Sequence, residues 1–456
     1  MIRPLSLTLS LSPEQIVRAW SGEPGLVWLD SARAGEAPSW SWITLHPTLS
    51  LRDAWPEWTA RPSGRASGRE LAIDQPPFVS GWIGFAAYEA AALLDPLLRT
   101  RPPESRMPLT LWNRYDASLA FRHEDRAWFL VGSDSGDGEI AARSLLEHLS
   151  SLGSIDEVSL PPSPPSASDP FDDIVGFETT LQRAEHAARV ETILDWIGRG
   201  HIYQANLTYR ASAPLVASPV TLYSALRLAN PAPYGAYLEL TESDPSALVT
   251  IQSSSPELFL RVRGGSIETW PIKGTRRRDP DDPERDSALR AELLASEKDR
   301  AELLMIVDLE RNDLGRLCRH GSIRVARFPE IESFATVHHL VARVSGELAA
   351  PTSFEELMRA TFPGGSVTGA PKLRAMEILA ELETAPRFVY TGALGWLDDS
   401  GDAELALAIR TLWTHEGRAH FGVGGGIVAD SQPAEEWEET RVKGRPLATA
   451  LRNASR

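Results

Sequence analysis

The chain has 456 residues, room for two or three domains or one large interwoven one, and its 42% hydrophobic and 24% charged residues exclude a disordered polymer. Lys and Arg total 46 against 62 Asp and Glu, a net charge of −16 that repels any partner gripped by its phosphates and argues against nucleic acid. A single cysteine, Cys318, excludes an internal disulfide framework and a thiolate zinc cluster, and fits a reducing, cytoplasmic setting.

In chain order, MIRPLSLTLSLSPEQ alternates apolar and polar side chains, the period of a strand, and lacks the apolar block of a secretory signal, so no cleaved leader is expected. With GLVWLDSA and RAWFLVGSD, each bounded by turn residues, it makes residues 1–159 a β-rich N-terminal region. The apolar stretch Gly81 to Leu98 carries Glu89 and Asp95 and is broken by Pro96, so no membrane span is expected. Residues 160–172, LPPSPPSASDPFD, read as an exposed linker, because proline blocks helix and ladder hydrogen bonds and serine adds solvated flexibility.

Residues 173–456 form the second unit. Val190, Ile193, Leu194 and Ile197 recur at helical spacing, and Gly198 and Gly200 end that helix. ALVTIQSS, LFLRVRGG and SIETWPIKG read as successive strands with glycine turns, and RAELLASEKDRAELLMIVDLERND as one long charged helix. Two glycine-rich stretches fail as nucleotide motifs. In FPGGSVTGAPK, Ala370 and Pro371 stand where a P-loop needs Lys and Ser or Thr, and in GVGGGIVAD, Ile427 takes the third glycine position of a dinucleotide fingerprint. The triple glycine reads either as a tight strand turn or as backbone that a carboxylate or phosphate approaches closely.

Carboxylates cluster twice at i, i+3 spacing, as Asp299 with Glu302 and as Glu436 with Glu439. Two facing pairs suit a hard cation such as Mg²⁺, while each pair alone suits a solvated helix face. Arg410 closes the run ELALAIRTLW, where it offers bidentate carboxylate binding or a structural ion pair. Lys273 follows a strand-like run and precedes a glycine, a place for a nucleophilic amine if its proton is easily lost, or for a solvated lysine. His339 reads as a general acid, an orienting donor or a core histidine.

Taken together, YQANLTYR, TWPIKGTRRR, AELLMIVDLERNDLGR, HHLVARVSGEL, FPGGSVTGAPKLRAMEIL, YTGALGW, LALAIRTL and GVGGGIVADSQPAEEWEET resemble the ordered signature of the chorismate-utilising enzymes, over about Ala187 to Lys443. SGWIGFAAYEA and GLVWLDSA are similar to the amidotransferase-coupled branch. The resemblance implies an α+β fold, a large antiparallel β-sheet sandwich with flanking helices, with residues 173–456 as the chorismate-binding unit. It implies that Glu302 and Glu439 hold Mg²⁺ against the ring carboxylate, with Glu436 and Asp299 acting through water or from behind. Arg410, Tyr390 and the backbone of Gly425 and Gly426 would take the enolpyruvyl carboxylate, with Lys443 nearby, and Thr275 and Thr368 would position the substrate.

The branch also follows from resemblance. Members that activate water carry a lysine where this chain has Gln204, and members that aminate C2 with loss of pyruvate typically read PIAGT where this chain reads PIKGT. PIKGT is the form of the branch that aminates C4 and keeps the enolpyruvyl group, on the route to 4-aminobenzoate and folate. In that branch Lys273 would attack C2 as the C4 hydroxyl leaves, helped by His339, and ammonia would then displace it. The ammonia would come from a separate glutamine amidotransferase subunit, since Cys318 lies inside the synthase signature, and no pyruvate lyase segment is expected. Leu303, where many relatives have His or Asn, and Arg277, where proline is usual, depart from the pattern. C2 amination, and a silent scaffold for the amidotransferase, are the rival readings.

Overall fold

The computed structural model describes residues 5–7, 9–31, 39–62, 75–104, 107–152, 169–240, 249–334 and 337–455. Their strands pair antiparallel into two large sheets, one of 12 and one of 10 strands. Strands from both sides of residues 160–172 share each sheet. Val27–Asp30 lies beside Tyr234–Leu240, with Trp28 opposite Tyr237. Gly81–Ala86 lies beside Ala393–Asp398, with Ile83 opposite Trp396. Both early strands are buried along their whole length, so without their later neighbours they would leave buried N–H and C=O groups unpaired. The 160–172 segment thus divides the sequence, while the strands interleave across it. Residues 160–168 lie outside the described residues. The end of the expected linker, Asp169–Asp172, is not an exposed tether: Phe171 is buried beside Phe421 and Trp437, and Arg441 donates to Asp169 Oδ2 at 2.7 Å.

The two sheets face each other across one apolar layer, in which Val27, Leu29 and Trp42 of the first meet Ile83, Phe85 and Trp396 of the second. Helices cover the outer faces. Glu297–Gly315 packs Leu303 and Val307 into the core behind the 10-stranded sheet, and Pro433–Ala454 sets Trp437, Leu447 and Leu451 against Phe421 and Val423 of the 12-stranded one. Leu303 is fully buried, whereas Arg277 ends an edge strand and is exposed.

Several elements depart from the reading above in ways that local chemistry explains. The charged segment is two helices, Pro283–Ala295 and Glu297–Gly315, because Ser296 turns out of the helix at ψ 108° and its hydroxyl accepts the Asp299 N–H as the second N-cap. SIETWPIKG divides at Pro271 into Ser266–Trp270 and Ile272–Arg277, which pair with successive parts of Val337–Glu347. The triple glycine is not a turn but lies inside the Arg418–Ile427 strand, paired with Gln204–Pro214. As expected, Arg183–Gly198 is helical and Gly264–Gly265, both at positive φ, turn between strands. No helix among the described residues is long and apolar enough to cross a membrane. Within Gly81 to Leu98, Glu89 is buried and accepts the Arg387 and Phe388 N–H groups at 2.7 and 3.0 Å, and burial pushes its carboxyl up to about 7.

Candidate active site

Lys273 sits on Ile272–Arg277, an edge strand beside Val337–Glu347. The register shifts between Lys273 and Thr275, at Gly274. Gly274 has φ +70°, and a Cβ there would come within 2.9 Å of Asp299 Cγ, so only glycine allows this kink and the close approach of the Glu297–Gly315 helix. Thr275 pairs opposite His339, with its Oγ1 3.0 Å from His339 Nδ1. His339 Nε2 is buried without a hydrogen-bond partner, and burial, reinforced by Arg410, lowers the imidazole to about 3. The ring is therefore neutral, which removes an imidazolium from the roles open to His339 and leaves an orienting neutral group.

Glu257 was missed by the motif reading. It lies between the strands Val249–Ser255 and Leu258–Arg263, is 5% exposed, and accepts a hydrogen bond from Ser366 Oγ at 2.8 Å. Burial pushes its carboxyl up to about 7, opposed by the Ser366 hydrogen bond and by the charges of Lys273 and Arg410. The available signal was an acid in SSSPELFL, a run otherwise suited to complete burial, since an acid retained there must have a partner or a task.

The glycines of Arg418–Ile427 let two groups of side chains close on one stretch of backbone. A Cβ on Gly426 would stand 2.9 Å from Gln204 Nε2 and 3.5 Å from Lys273 Nζ, and one on Gly425 would stand 3.1 Å from Glu436 Oε2 and 3.8 Å from Glu439 Oε1. The neighbouring strand Thr411–His415 pairs with this one only as far as Phe421, so from Gly422 onward that edge is uncovered and alternate backbone groups face away from the Gln204–Pro214 strand. Gln204 is fully buried, and neither of its amide atoms has a hydrogen-bond partner.

The four acids converge from the two helices. Burial raises Glu302, with Lys273 and Lys298 opposing and Glu439 and Asp299 reinforcing the rise. Burial also raises Glu436, whose Oε1 accepts from Ser431 Oγ at 2.6 Å while Oε2 is an orphan. Glu439 is held below the usual carboxylate range, chiefly by Lys443, whose Nζ lies 2.6 Å from it and donates to Gly424 O at 3.1 Å. Lys443 thus serves a metal-candidate acid, on the Gly425 side of the strand. Asp299 faces Arg276 at 3.4 Å. Among the described residues, no three of these four acids bring carboxylate oxygens within 4.8 Å of one another. The donor set is nonetheless all oxygen, with one orphaned oxygen and the cradle that Gly425 leaves, which fits a hard cation that keeps water between itself and some ligands.

Arg410 precedes Thr411–His415 with φ +50°, a left-handed conformation unusual for arginine and worth noting beside the uncovered edge. Its side-chain partner is Asn230 Oδ1, at 3.4 Å, and no carboxylate of the described residues ion-pairs with it. Burial lowers its guanidinium to about 10, with Glu257 opposing. Tyr390 is buried, with its ring against Gly422, where a Cβ would collide with it. Thr368 is fully buried, and its hydroxyl donates to Gly364 O at 3.0 Å within its own loop. Lys273, Gln204, Glu436 and Glu439 therefore gather around Gly425 and Gly426, with Glu257, Arg410, Glu302 and Asp299 linked to them by charge, while Thr275 and Thr368 spend hydrogen bonds on His339 and on the loop.

The chorismate binding enzyme family profile matches residues 28–449. Anthranilate synthase component 1 of Streptomyces coelicolor is 38% identical over 83% of this chain and 74% of its own length. Aminodeoxychorismate synthase of Streptomyces griseus is 39% identical over 83% of this chain, which spans about half (51%) of that protein, and aminodeoxychorismate synthase component 1 of Bacillus subtilis is 36% identical over 82% and 78%. Among solved structures, anthranilate synthase component I of Streptococcus pneumoniae superimposes with a TM-score of 0.73 at 28% identity, covering 91% of this chain and 93% of that one.

Proposed function

The chain belongs to the chorismate-binding enzyme family, and from that premise we propose that it aminates chorismate at C4, as an aminodeoxychorismate synthase component I on the route to 4-aminobenzoate and folate. The observation that carries this reading is Lys273 itself, an amine beside the Gly426 backbone with Glu257 and the Gln204 amide as its buried neighbours. Lys273 Nζ bonds to C2 while the ring double bonds shift and the C4–O bond breaks. Glu257, poised at about 7, takes the proton that the amine gives up and passes it to the departing C4 oxygen, so the hydroxyl leaves as water. His339, neutral, orients the C4 hydroxyl through Nε2. Ammonia then bonds to C4 and gives up a proton, through Glu257, to the Lys273 nitrogen as the double bonds shift back and the C2–N bond breaks, which leaves the enolpyruvyl group in place. Gln204 is no base, which favours ammonia over water as the incoming nucleophile.

Arg410 and the uncovered backbone at Gly425 and Gly426 take the enolpyruvyl carboxylate, with Tyr390 behind them. Mg²⁺, held by Glu302 and Glu439 with Glu436 and Asp299 through water, would neutralise the ring carboxylate when bound. A glutamine amidotransferase subunit supplies the ammonia, since the one cysteine of this chain, Cys318, is buried and its thiol pushed up to about 11, unsuited to a glutaminase nucleophile. The reaction belongs in the cytoplasm, where a free buried thiol persists.

The anthranilate synthase names among the relatives keep C2 amination as the second reading. Product analysis separates them: chorismate, Mg²⁺ and ammonium should yield 4-amino-4-deoxychorismate, Lys273→Ala should lower its formation by at least about 10²-fold, and a chorismate-derived mass should be trapped on the Lys273 peptide. Anthranilate as the main product would overturn the assignment, unchanged C4 amination by the variant would end the covalent route, and no turnover at all would favour a scaffold.

A further inference from the structure

Away from the amination site, Glu23, His46 and His148 bring one carboxylate oxygen and two imidazole nitrogens within 4.8 Å of one another, and they are the one such group of His, Cys, Asp and Glu found among the described residues. The three come from separate elements: Glu23 from the turn after the Pro13–Ala19 helix, His46 from the end of the Trp40–Thr44 strand, and His148 from the Gly136–Ser151 helix. Glu23 Oε2 lies 3.3 Å from His46 Nε2 and 3.9 Å from His148 Nε2, and the two imidazole rings meet edge to face with centroids 4.8 Å apart.

The hydrogen bonding around the cluster favours a ligand. His148 Nδ1 lies 2.9 Å from Ser144 O, and a carbonyl can only accept, so the proton sits on Nδ1 and Nε2 turns a lone pair toward Glu23 and His46. His46 is held at φ +54°, and its N–H donates to Pro24 O at 2.9 Å, which fixes the ring beside the Glu23 turn. Tetrahedral zinc with ligands at about 2.0–2.1 Å separates its donor atoms by about 3.3 Å. The spacings here need only a small inward adjustment of His148. The side chains are 36%, 40% and 28% exposed for His46, Glu23 and His148, so water can complete the coordination sphere.

We propose that Glu23, His46 and His148 form a binding site for a borderline transition-metal ion, Zn²⁺, with two nitrogen and one oxygen protein ligands and at least one water. The donor set selects against Mg²⁺, which takes oxygen, and so sets this site apart from the acids around Gly425. None of the ligands lies on an element that carries the amination site. The ion would tie the Gly136–Ser151 helix to the loops that flank the inner strands Val27–Asp30 and Trp40–Thr44 of the 12-stranded sheet.

The test uses the chelator-stripped whole chain in excess Mg²⁺, titrated with Zn²⁺ by calorimetry and with Co²⁺ by visible absorption. One equivalent should bind at micromolar concentration or below, Co²⁺ should develop d–d bands of a nitrogen-containing low-coordinate site, and Zn²⁺ should raise the melting temperature. His46→Gln and His148→Gln, both at partly exposed positions, should each weaken binding at least tenfold and abolish the thermal shift, with ammonia-dependent turnover unchanged in the absence of zinc. No binding by the wild-type chain, or equal stoichiometry and affinity in both variants, would overturn the proposal.

Discussion

Two buried charged clusters adjoin the Gln204–Pro214 strand, and they handle charge in opposite ways. In the first, Arg387 uses all five of its N–H groups. Nε and Nη2 bind Glu383, Nη2 also binds Asn206 O at 2.8 Å, and Nη1 binds Val367 O at 2.8 Å and Thr391 Oγ1 at 3.2 Å. Glu383 is further held by the Thr208 hydroxyl at 2.8 Å and the Thr208 N–H at 3.1 Å. In the second, Arg410 has a single long bond to Asn230, and the Gln204 amide, His339 Nε2 and Glu436 Oε2 have no partner. Buried polar groups that build a fold are mostly saturated, because each unmade bond costs about 1–3 kcal/mol. Those around Gly425 and Gly426 are left with capacity to spare, which is what a site for a dicarboxylate requires.

The contrast can be broken from either side. Arg387→Met should be the most damaging change, because it strands Glu383 as an uncompensated buried charge. The expected loss is about 3–5 kcal/mol of stability, read as a fall in the urea midpoint. If stability were unchanged, the saturated cluster would not be structural. Glu257→Gln tests the open cluster: kcat should fall by about 10²-fold, with the fold intact by circular dichroism. The pH dependence carries the sign. Glu257 is a base only when ionised, so the wild-type rate should fall as pH drops below about 7, and that limb should vanish in the variant. A retained limb would assign it to another group.

The smallest effects come from a pair of glycines in one strand. Gly422→Ala drives a methyl into the Tyr390 ring, with an expected cost of about 1–3 kcal/mol in stability. Gly426→Ala meets only the movable ends of Gln204 and Lys273, so stability should hold while turnover falls by about tenfold, or 1.4 kcal/mol in the barrier. Equal loss of stability in both would mean that the strand is merely tightly packed.

Much of this was legible in the sequence, because ordered motifs carry side-chain identity. Lys273 and the Glu436–Glu439 pair come to the glycine strand from their expected elements, whereas the run expected to end in Arg410 breaks into Ala403–Leu407 and Thr411–His415, with Arg410 between them. What escaped was set by pairing over long sequence distances. The three glycines read as a tight strand turn or as backbone open to close approach, yet they lie mid-strand because Gln204–Pro214 runs beside them over ten registered pairs, from Ala205 opposite Ile427 to Pro214 opposite Arg418. Glu257 carries no motif of its own and gains meaning only when Lys273 and Arg410 fold over it. Ser296 looked like one more polar residue in a helical pattern, although its capping chemistry was readable from its type.

The interleaving of strands across residues 160–172 also bears on how the protein is made. While the chain is being synthesised, Gly81–Ala86 must wait for Ala393–Asp398, which follows some 300 residues later, a delay of about 15–60 s at translation rates of 5–20 residues per second. Throughout that interval the nascent chain holds the apolar Gly81–Ala86 strand with an unpaired edge, and Val27–Asp30, apolar but for Asp30, likewise lacks its neighbour until Tyr234–Leu240 emerges. A fragment ending near residue 159 should accordingly be insoluble when expressed alone and recover solubility when co-expressed with the remainder, and a soluble, cooperatively melting fragment would contradict this. The ribosome-bound chain is thus expected to depend on holding chaperones for most of its synthesis.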